Sequence, residues 1–369
     1  MEALETKIIT TSLVAWRQNR VLSIIQLFTL GFLFSNTMLA QSAGLFDSEE
    51  ILELKLSGNM KSIFKDRGDD PQYHQVTLQY KSELQLVDIS IETKPRGHFR
   101  KLSENCKYPP LFLSLKNSTV PENSIFWGQN KLKVVTTCRN EEYVVNEYLV
   151  YKLYNLITPK SFKARLVKIV FEDTKRGKTS KPTYAFLLEE EKQMALRNQA
   201  SPFEKIGIRP DILLKEDFLK MAVFEYMIGN TDWSIQYQQN IKLLTKESET
   251  MPTAIPYDFD HAGIVRASYA KPAPELNLRS TTKRRYRGYC IADMNEFTET
   301  FETFNRLKDE FYALYEGNPL LSTVYQAQTV KFLDQFYETI NAPQKAMKEF
   351  SYPCDKLGTG NIVIKGFGH

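Results

Sequence analysis

The chain is poor in the side chains that build soft-metal and redox centres. Its 369 residues include only four His and four Cys, with no CxxC pair and no Cys/His cluster. That excludes a structural zinc site of ordinary spacing. Neither sign of charge dominates: 48 Lys and Arg face 44 Asp and Glu, a net charge of +4, too little for the basic footprint of a nucleic-acid binder. No internal repeat or low-complexity block occurs. After residue 40 no run is apolar enough to span a bilayer, which takes about 20 apolar residues. What remains, 42% hydrophobic and 25% charged residues, is ordinary globular composition, long enough for about two domains.

The one long apolar run lies near the N-terminus. Arg17 and Arg20 precede "VLSIIQLFTLGFLF", 14 uncharged and mostly apolar residues, and then "SNTMLAQSAG". A basic flank, a short apolar core and a small residue at a cleavage point describe a secretory signal peptide over 1–40, cut near Ala40. No Cys lies there, so a lipid anchor is not expected. Removing 1–40 changes the net charge from +4 to +3 and leaves no membrane span, so the mature protein is expected in the periplasm or medium. Export permits disulfides. Cys106 and Cys138 fall in a β-rich first half, Cys290 and Cys354 in a helical second half, and pairing within each half is expected.

Alternation of apolar and polar residues marks strands at 50–56, 74–80 and 84–93, with further strands at 109–116 and 131–137. "EEYVVNEYLVYKLYNLI" (141–157) has helical spacing and is closed by Thr158-Pro159. "RLVKIVFED" and "TYAFLLEE" read as a hairpin. After about residue 200 the period changes. "KEDFLKMAVFEYMIGN" is a helix with an acidic first turn and a Gly near its end. A strand pair at 241–245 and 253–259 follows, then a basic loop, then helices near 294–316 and 320–348. The expected domains are a β-rich 41–200 and a helical 201–369, the first an antiparallel sheet with one helix.

Between these helices and strands stand "GNTDWSIQYQQN" (229–240) and "PYDFDHAG" (256–263). A hairpin centred on residue 249 puts Asn240 opposite Asp258. Alternation then turns Asp260 the same way as Asp258, and Asp232 ends the preceding helix eight residues before Asn240. An amide and three carboxylates at one point suit a hard divalent cation, Mg²⁺ or Mn²⁺, shared with substrate phosphates. Phosphoryl transfer uses the same parts: an Asp on the acceptor, an Asn and an Asp on metal, and cations on the phosphates.

The order β-rich region, helix, "GNTD…N", hairpin, "DFD" resembles atypical protein-kinase-like proteins, chiefly the spore-coat protein H (CotH) kinase family and, more distantly, HipA-type kinases with a "GNxDxHxxN" loop. The likeness spans roughly 84–350 and includes "RGHFR" (96–100) and "YAFLLEE". It implies an α+β, bilobal protein-kinase-like fold with an antiparallel-sheet N-lobe and a mainly helical C-lobe. By the same likeness Asp232 is the catalytic-loop Asp, Asn240 and Asp258 are metal ligands and Asp260 is a further metal ligand. Arg96 and Arg100 would cover a nucleotide's phosphates, and Glu189 would lie at the inter-lobe hinge. Glu147 would pair a phosphate-binding lysine, with Lys116, Lys131 and Lys133 all open. The sequence departs from the pattern in having no GxGxxG, no His-Arg-Asp and eight residues from Asp232 to Asn240 where kinase loops have about five. The implied function is Mg²⁺-dependent transfer of phosphate from ATP or another nucleotide to a protein or glycan hydroxyl. The alternative is a non-catalytic envelope binding or assembly protein. The basic stretch "TTKRRYRGYC" would face an acidic or phosphorylated partner, or be a solvated loop pinned by Cys290.

Overall fold

Seven strands close on themselves to form the first half of the molecule. The structure, a computed structural model, describes residues 44–82, 85–116, 119–358 and 363; the expected signal peptide lies outside them. Around the ring run β1 (Leu52–Gly58), β2 (His74–Lys81), β3 (Leu86–Pro95), β4 (Leu111–Ser114), β5 (Lys131–Thr136), β8 (Thr183–Leu188) and β6 (Ala164–Asp173). A short β7 (Lys178–Thr179) pairs with β6 outside it. Neighbours are antiparallel except at the seam. There β1 lies parallel to β6 from Leu52↔Val167 to Gly58↔Asp173.

This closure corrects the fold expected from the sequence. The first half is a mixed β-barrel, not the open antiparallel sheet of a bilobal kinase-like protein. The alternating pattern that read as a half-buried sheet is satisfied by a filled barrel interior, where Leu54, Leu56, Leu78, Ile89, Leu113, Val134, Ile169 and Leu187 pack together. A closed ring also leaves no open edge. Helix α1 (Met60–Lys65), not anticipated, adds Met60 and Ile63 to that interior.

The outer face of β5, β8 and β6 carries a second core. Helix α2 (Glu141–Ile157) lies on it, started by the Asn140 side chain accepting from the Glu142 amide at 3.0 Å and bearing Glu141 and Glu142 in its first turn. Val135, Leu166, Phe186 and Leu188 from the barrel and Tyr148, Leu149 and Tyr151 from α2 share this core with the C-terminal helices. After α3 (Glu191–Arg197), a small sheet of β9 (Ser201–Pro202), β10 (Ile241–Thr245) and β11 (Thr253–Pro256) forms around α4 (Lys215–Ile228). The two long C-terminal helices each break in two: α5 (Thr298–Arg306) and α6 (Lys308–Ala313), then α7 (Thr323–Ile340) and α8 (Pro343–Phe350). The described residues from Gly44 onward group as one compact unit.

Both expected disulfides are present, Cys106–Cys138 and Cys290–Cys354, with Cα separations of 4.8 and 4.6 Å. Among the described residues no helix is long and apolar enough to cross a membrane.

Candidate functional site

The polar cluster begins where β3 runs out. Arg96-Gly97-His98 turns the chain, with Gly97 at φ +85° where a side chain is disfavoured, into a 3₁₀ turn at Phe99–Lys101. Two constraints aim this turn inward. The Arg67 guanidinium donates to the carbonyls of Lys101, Cys106 and Lys107 at 3.0, 2.8 and 2.6 Å. The Cys106–Cys138 bridge then ties the same loop to the residues just before α2.

The result is a buried arginine held by three carboxylates. Arg100 donates to both oxygens of Glu147 at 2.8 and 3.2 Å and to Asp258 at 2.9 Å, and its Nε lies 3.2 Å from Asp260. Burial works against the guanidinium's charge, and Asp260, Glu147 and Asp258 more than offset it. Glu147, from the middle of α2, is 1% exposed. Its carboxyl is pushed up to about 8 by burial, against the pull of Arg100 and with a push from Asp260 and Asp258.

Asp258 follows β11 and sits at φ +63°, a left-handed conformation uncommon for a side-chain-bearing residue. Its amide donates to the buried Tyr151 hydroxyl at 2.9 Å. Crowding by protein pushes its carboxyl up, but Arg100, Arg96 and Lys133 together hold it below its ordinary value. Lys133, half-buried on β5, lies over the Tyr257 ring at 4.7 Å. Burial first and then Arg96 lower its ammonium to about 7, partly countered by Asp258.

Beside this group stands a second pair. Helix α4 ends at Gly229 in the left-handed region (φ +69°), and the Asn230 amide returns to the Glu225 carbonyl at 2.9 Å. Asn230 then caps the Asp232 amide at 3.0 Å. Asn240, itself at φ +51°, donates its side-chain amide to the Asp232 carbonyl at 2.7 Å and to Asp232 Oδ2 at 3.1 Å. Asp232 Oδ1 is buried with no hydrogen-bond partner among the described residues. Burial, opposed by His261 and assisted by Asp260 and Asp258, raises the Asp232 carboxyl to about 6.

The expected site residues therefore divide. Asp232 and Asn240 meet, and Arg100, Glu147, Asp258 and Asp260 meet, with Lys133 and Arg96 acting on Asp258. The partner of Glu147 is Arg100 and not a lysine of the sheet, because the disulfide-tied loop brings Arg100 to α2. Of the three lysines left open, Lys133 faces the cluster; Lys131 and Lys116 are exposed, and Lys116 pairs with Glu92 at 3.3 Å. Glu189 is buried and committed to structure, paired with Arg197 at 2.8 Å and accepting the Lys163 amide. The expected hairpin register is one residue out. Leu244 pairs with Thr253 and Ile241 with Pro256, so Asn240 meets Tyr257, whose amide donates to the Asn240 carbonyl at 3.0 Å. An even-length loop closes the hairpin, and the Asn240–Asp258 cross-strand pair does not form.

Several residues of the site were not anticipated. Tyr151 follows Glu147 by one helical turn on the same face, a spacing visible in the sequence. Tyr269 hydrogen-bonds Asp260, and burial first and then that charge push its phenol upward. Glu225 is fully buried, neither carboxyl oxygen has a hydrogen-bond partner among the described residues, and burial and then the Asp232 charge push the carboxyl well up. The basic stretch is not a solvated loop, because three of its arginines are engaged by the fold. Arg284 caps α4 through the Met227 carbonyl at 3.0 Å and stacks on Phe332. Arg285 stacks on Tyr352, and Arg287 donates to the Thr231 carbonyl at 2.9 Å beside Asp232.

Among the described residues no group of three or more His, Cys, Asp or Glu side chains is arranged to hold a metal. Arg100 fills the centre of the carboxylates. Asp232 Oδ1, Asn240 Oδ1 and Asp258 Oδ2 accept no hydrogen bond among the described residues, the first two in one group and the third in the other. Oxygens of this kind fit Mg²⁺, which takes one or two protein carboxylates and leaves the rest of its shell to phosphates and water. Asp260 is committed to Arg100 and Tyr269.

No family model matches the chain, and no curated protein matches it. Among solved structures it is similar to the crystal structure of a Helicobacter pylori proinflammatory kinase, CtkA. The match has a TM-score of 0.38 and 13% sequence identity, and covers 61% of this chain and 94% of that one. The spore-coat protein H family is thus not shown by any family model.

Proposed function

We propose that the protein is an exported, atypical phosphotransferase that moves the terminal phosphoryl group of a nucleotide to a protein or glycan hydroxyl. The observation that supports it most is the pairing of Asp232 with Asn240 beside a part-exposed Asp258 that Lys133 and Arg96 face. A carboxyl raised to about 6 is ionised at neutral pH yet basic enough to take a proton. In this reading Asp232 holds the acceptor hydroxyl. As the hydroxyl oxygen bonds to the terminal phosphorus, its proton passes to Asp232. The bond from that phosphorus to the bridging oxygen breaks, and the nucleoside diphosphate leaves with the electron pair. Lys133 and Arg96 bind the phosphates. Asp258 and Asn240 would hold Mg²⁺, which when bound neutralises charge on the transferred group. Arg100 orients Asp258 by its hydrogen bond.

One observation favours a second reading. Because Arg100 pairs with Glu147, Asp258 and Asp260 at once, it occupies the point among them where a cation would sit, as suits a non-catalytic binding or assembly protein of the cell envelope. Calorimetric titration with Mg²⁺–ATP, paired with labelled-phosphate transfer to an envelope extract, separates the two. Under the transferase reading Asp258→Ala loses nucleotide binding, while Asp232→Asn keeps binding and loses turnover. Absence of binding by the parent at millimolar nucleotide overturns that reading and leaves the assembly one.

A further inference from the structure

Away from this site the molecule carries a second concentration of positive charge. A pocket of about 220 Å³ is lined by Arg266, Thr282, Lys283, Gln328, Lys331 and Gln335, with the Phe332 ring as its wall. Three cations line it and no carboxylate does. Its α7 side is one helical face, since Gln328, Lys331 and Gln335 recur at spacings of three and four. Asp334, between them in sequence, is engaged by the Tyr312 hydroxyl at 2.6 Å.

The pocket is held in shape from three directions. The Tyr325 hydroxyl of α7 donates to the Ile264 carbonyl at 2.6 Å and the Asn146 amide of α2 to the Val265 carbonyl at 3.1 Å. These bonds fix the segment that ends in Arg266. Arg284 and its stacking on Phe332 fix the segment carrying Thr282 and Lys283.

Arg266 is under-satisfied. It sits at φ +58°, makes one long bond, to the Gln328 carbonyl at 3.3 Å, and has its Nε shut off from solvent with no acceptor. No ion pair forms at Arg266, Lys283 or Lys331 among the described residues. A left-handed conformation and a buried, unpaired N–H both cost free energy. An anion seated beside the three cations would give Arg266 an acceptor and relieve their mutual repulsion. The residues lining the pocket offer a guanidinium, two ammonium groups and two amides as donors, which matches the several oxygens of a tetrahedral dianion.

We infer that this pocket binds a phosphoryl group, from a free phosphate or a phosphorylated side chain. The inference stands apart from the phosphotransfer reading, because none of these residues belongs to the Asp232–Asp258 site. The test is calorimetric titration of the full chain at fixed ionic strength with inorganic phosphate and, separately, with a short phosphothreonine peptide. One site is expected, and Lys283→Gln with Lys331→Gln should weaken it about tenfold or more. Both lysines are exposed, so the double variant should melt with the parent. Lys175→Gln, on a distant exposed turn, should bind like the parent. Equal affinity for both probes identifies free phosphate chemistry as sufficient, and tighter peptide binding identifies a protein source. No binding by the parent, unchanged affinity in the double variant, or an equal loss in Lys175→Gln overturns the inference.

Discussion

Arg100 decides the character of the site at the scale of single residues. One guanidinium meets three carboxylates, so its removal leaves several negative charges crowded with no counter-ion. Arg100→Met should destabilise the fold by about 3–5 kcal/mol, the range for breaking a buried pair from one side. The lower end is expected, because Asp258 is part-exposed. Urea unfolding at neutral pH measures it, and a loss under about 1 kcal/mol would mean the cluster is solvated. Lys133 gives a pH-dependent prediction. Its ammonium is lowered from 10.5 to about 7 by burial and Arg96, so a folded-state neutral amine appears as pH rises through 7. Competitive acylation read by mass spectrometry should show Lys133 reacting with a midpoint near 7. Bound phosphate at that amine should restore the proton and slow the reaction. A midpoint near 10 would remove Lys133 from the role proposed for it.

Among the elements, the joint that places Asp232 is the most constrained. Helix α4 ends in Gly229, the segment after β11 returns through Gly263, and the two backbones bond directly, Gly263 N–H to Gly229 C=O at 3.1 Å. A Cβ on Gly263 would lie 2.3 Å from the Thr281 carbonyl oxygen, against 3.1 Å for one on Gly229. The obstacle is backbone, which cannot swing aside. Gly263→Ala should therefore cost about 2 kcal/mol or more and disturb the Asp232–Asn240 pair. Thermal unfolding and amide exchange at residues 229–240 check it; an unchanged melting temperature would show that the 281 segment moves freely. The sequence signalled this joint only as "GN" closing a helix and "AG" following two aspartates. Neither stretch says that Thr281 packs between them.

For the whole molecule, the barrel and the C-terminal helices are linked by the α2 face and by the loop that carries Arg100. The Cys106–Cys138 bridge closes 32 residues across that link. Replacing both cysteines with Ala should cost about 3 kcal/mol and loosen the Arg100–Glu147 contact, visible as faster amide exchange in α2 near Glu147. If exchange there is unchanged, the Arg67 bonds alone hold the loop. Two disulfides also suit the oxidising compartment expected from the N-terminal sequence.

Local pattern was enough for most of the elements. Alternation marked the strands, the period of 141–157 gave α2 to the residue, and the split of cysteines between halves gave both bridges. Each rests on neighbours in the chain, where side-chain period and propensity act directly. The sequence also singled out Asp232, Asn240, Asp258 and Asp260, because acids and amides at element ends are conspicuous, whereas Arg100 and Glu147 came only from the likeness to kinase-like proteins. Their partners were another matter. The parallel seam between β1 and β6 joins residues 115 positions apart, and nothing in either strand names the other. The shift of Asn240 to Tyr257 turns on how one loop closes. Arg100 reaches Glu147, Asp258 and Asp260 only after a disulfide, the Arg67 bonds and a left-handed Asp258 have set their directions. Periodicity carries information along the chain, whereas closure, register and charge pairing depend on which distant surfaces pack, and only the folded molecule decides that.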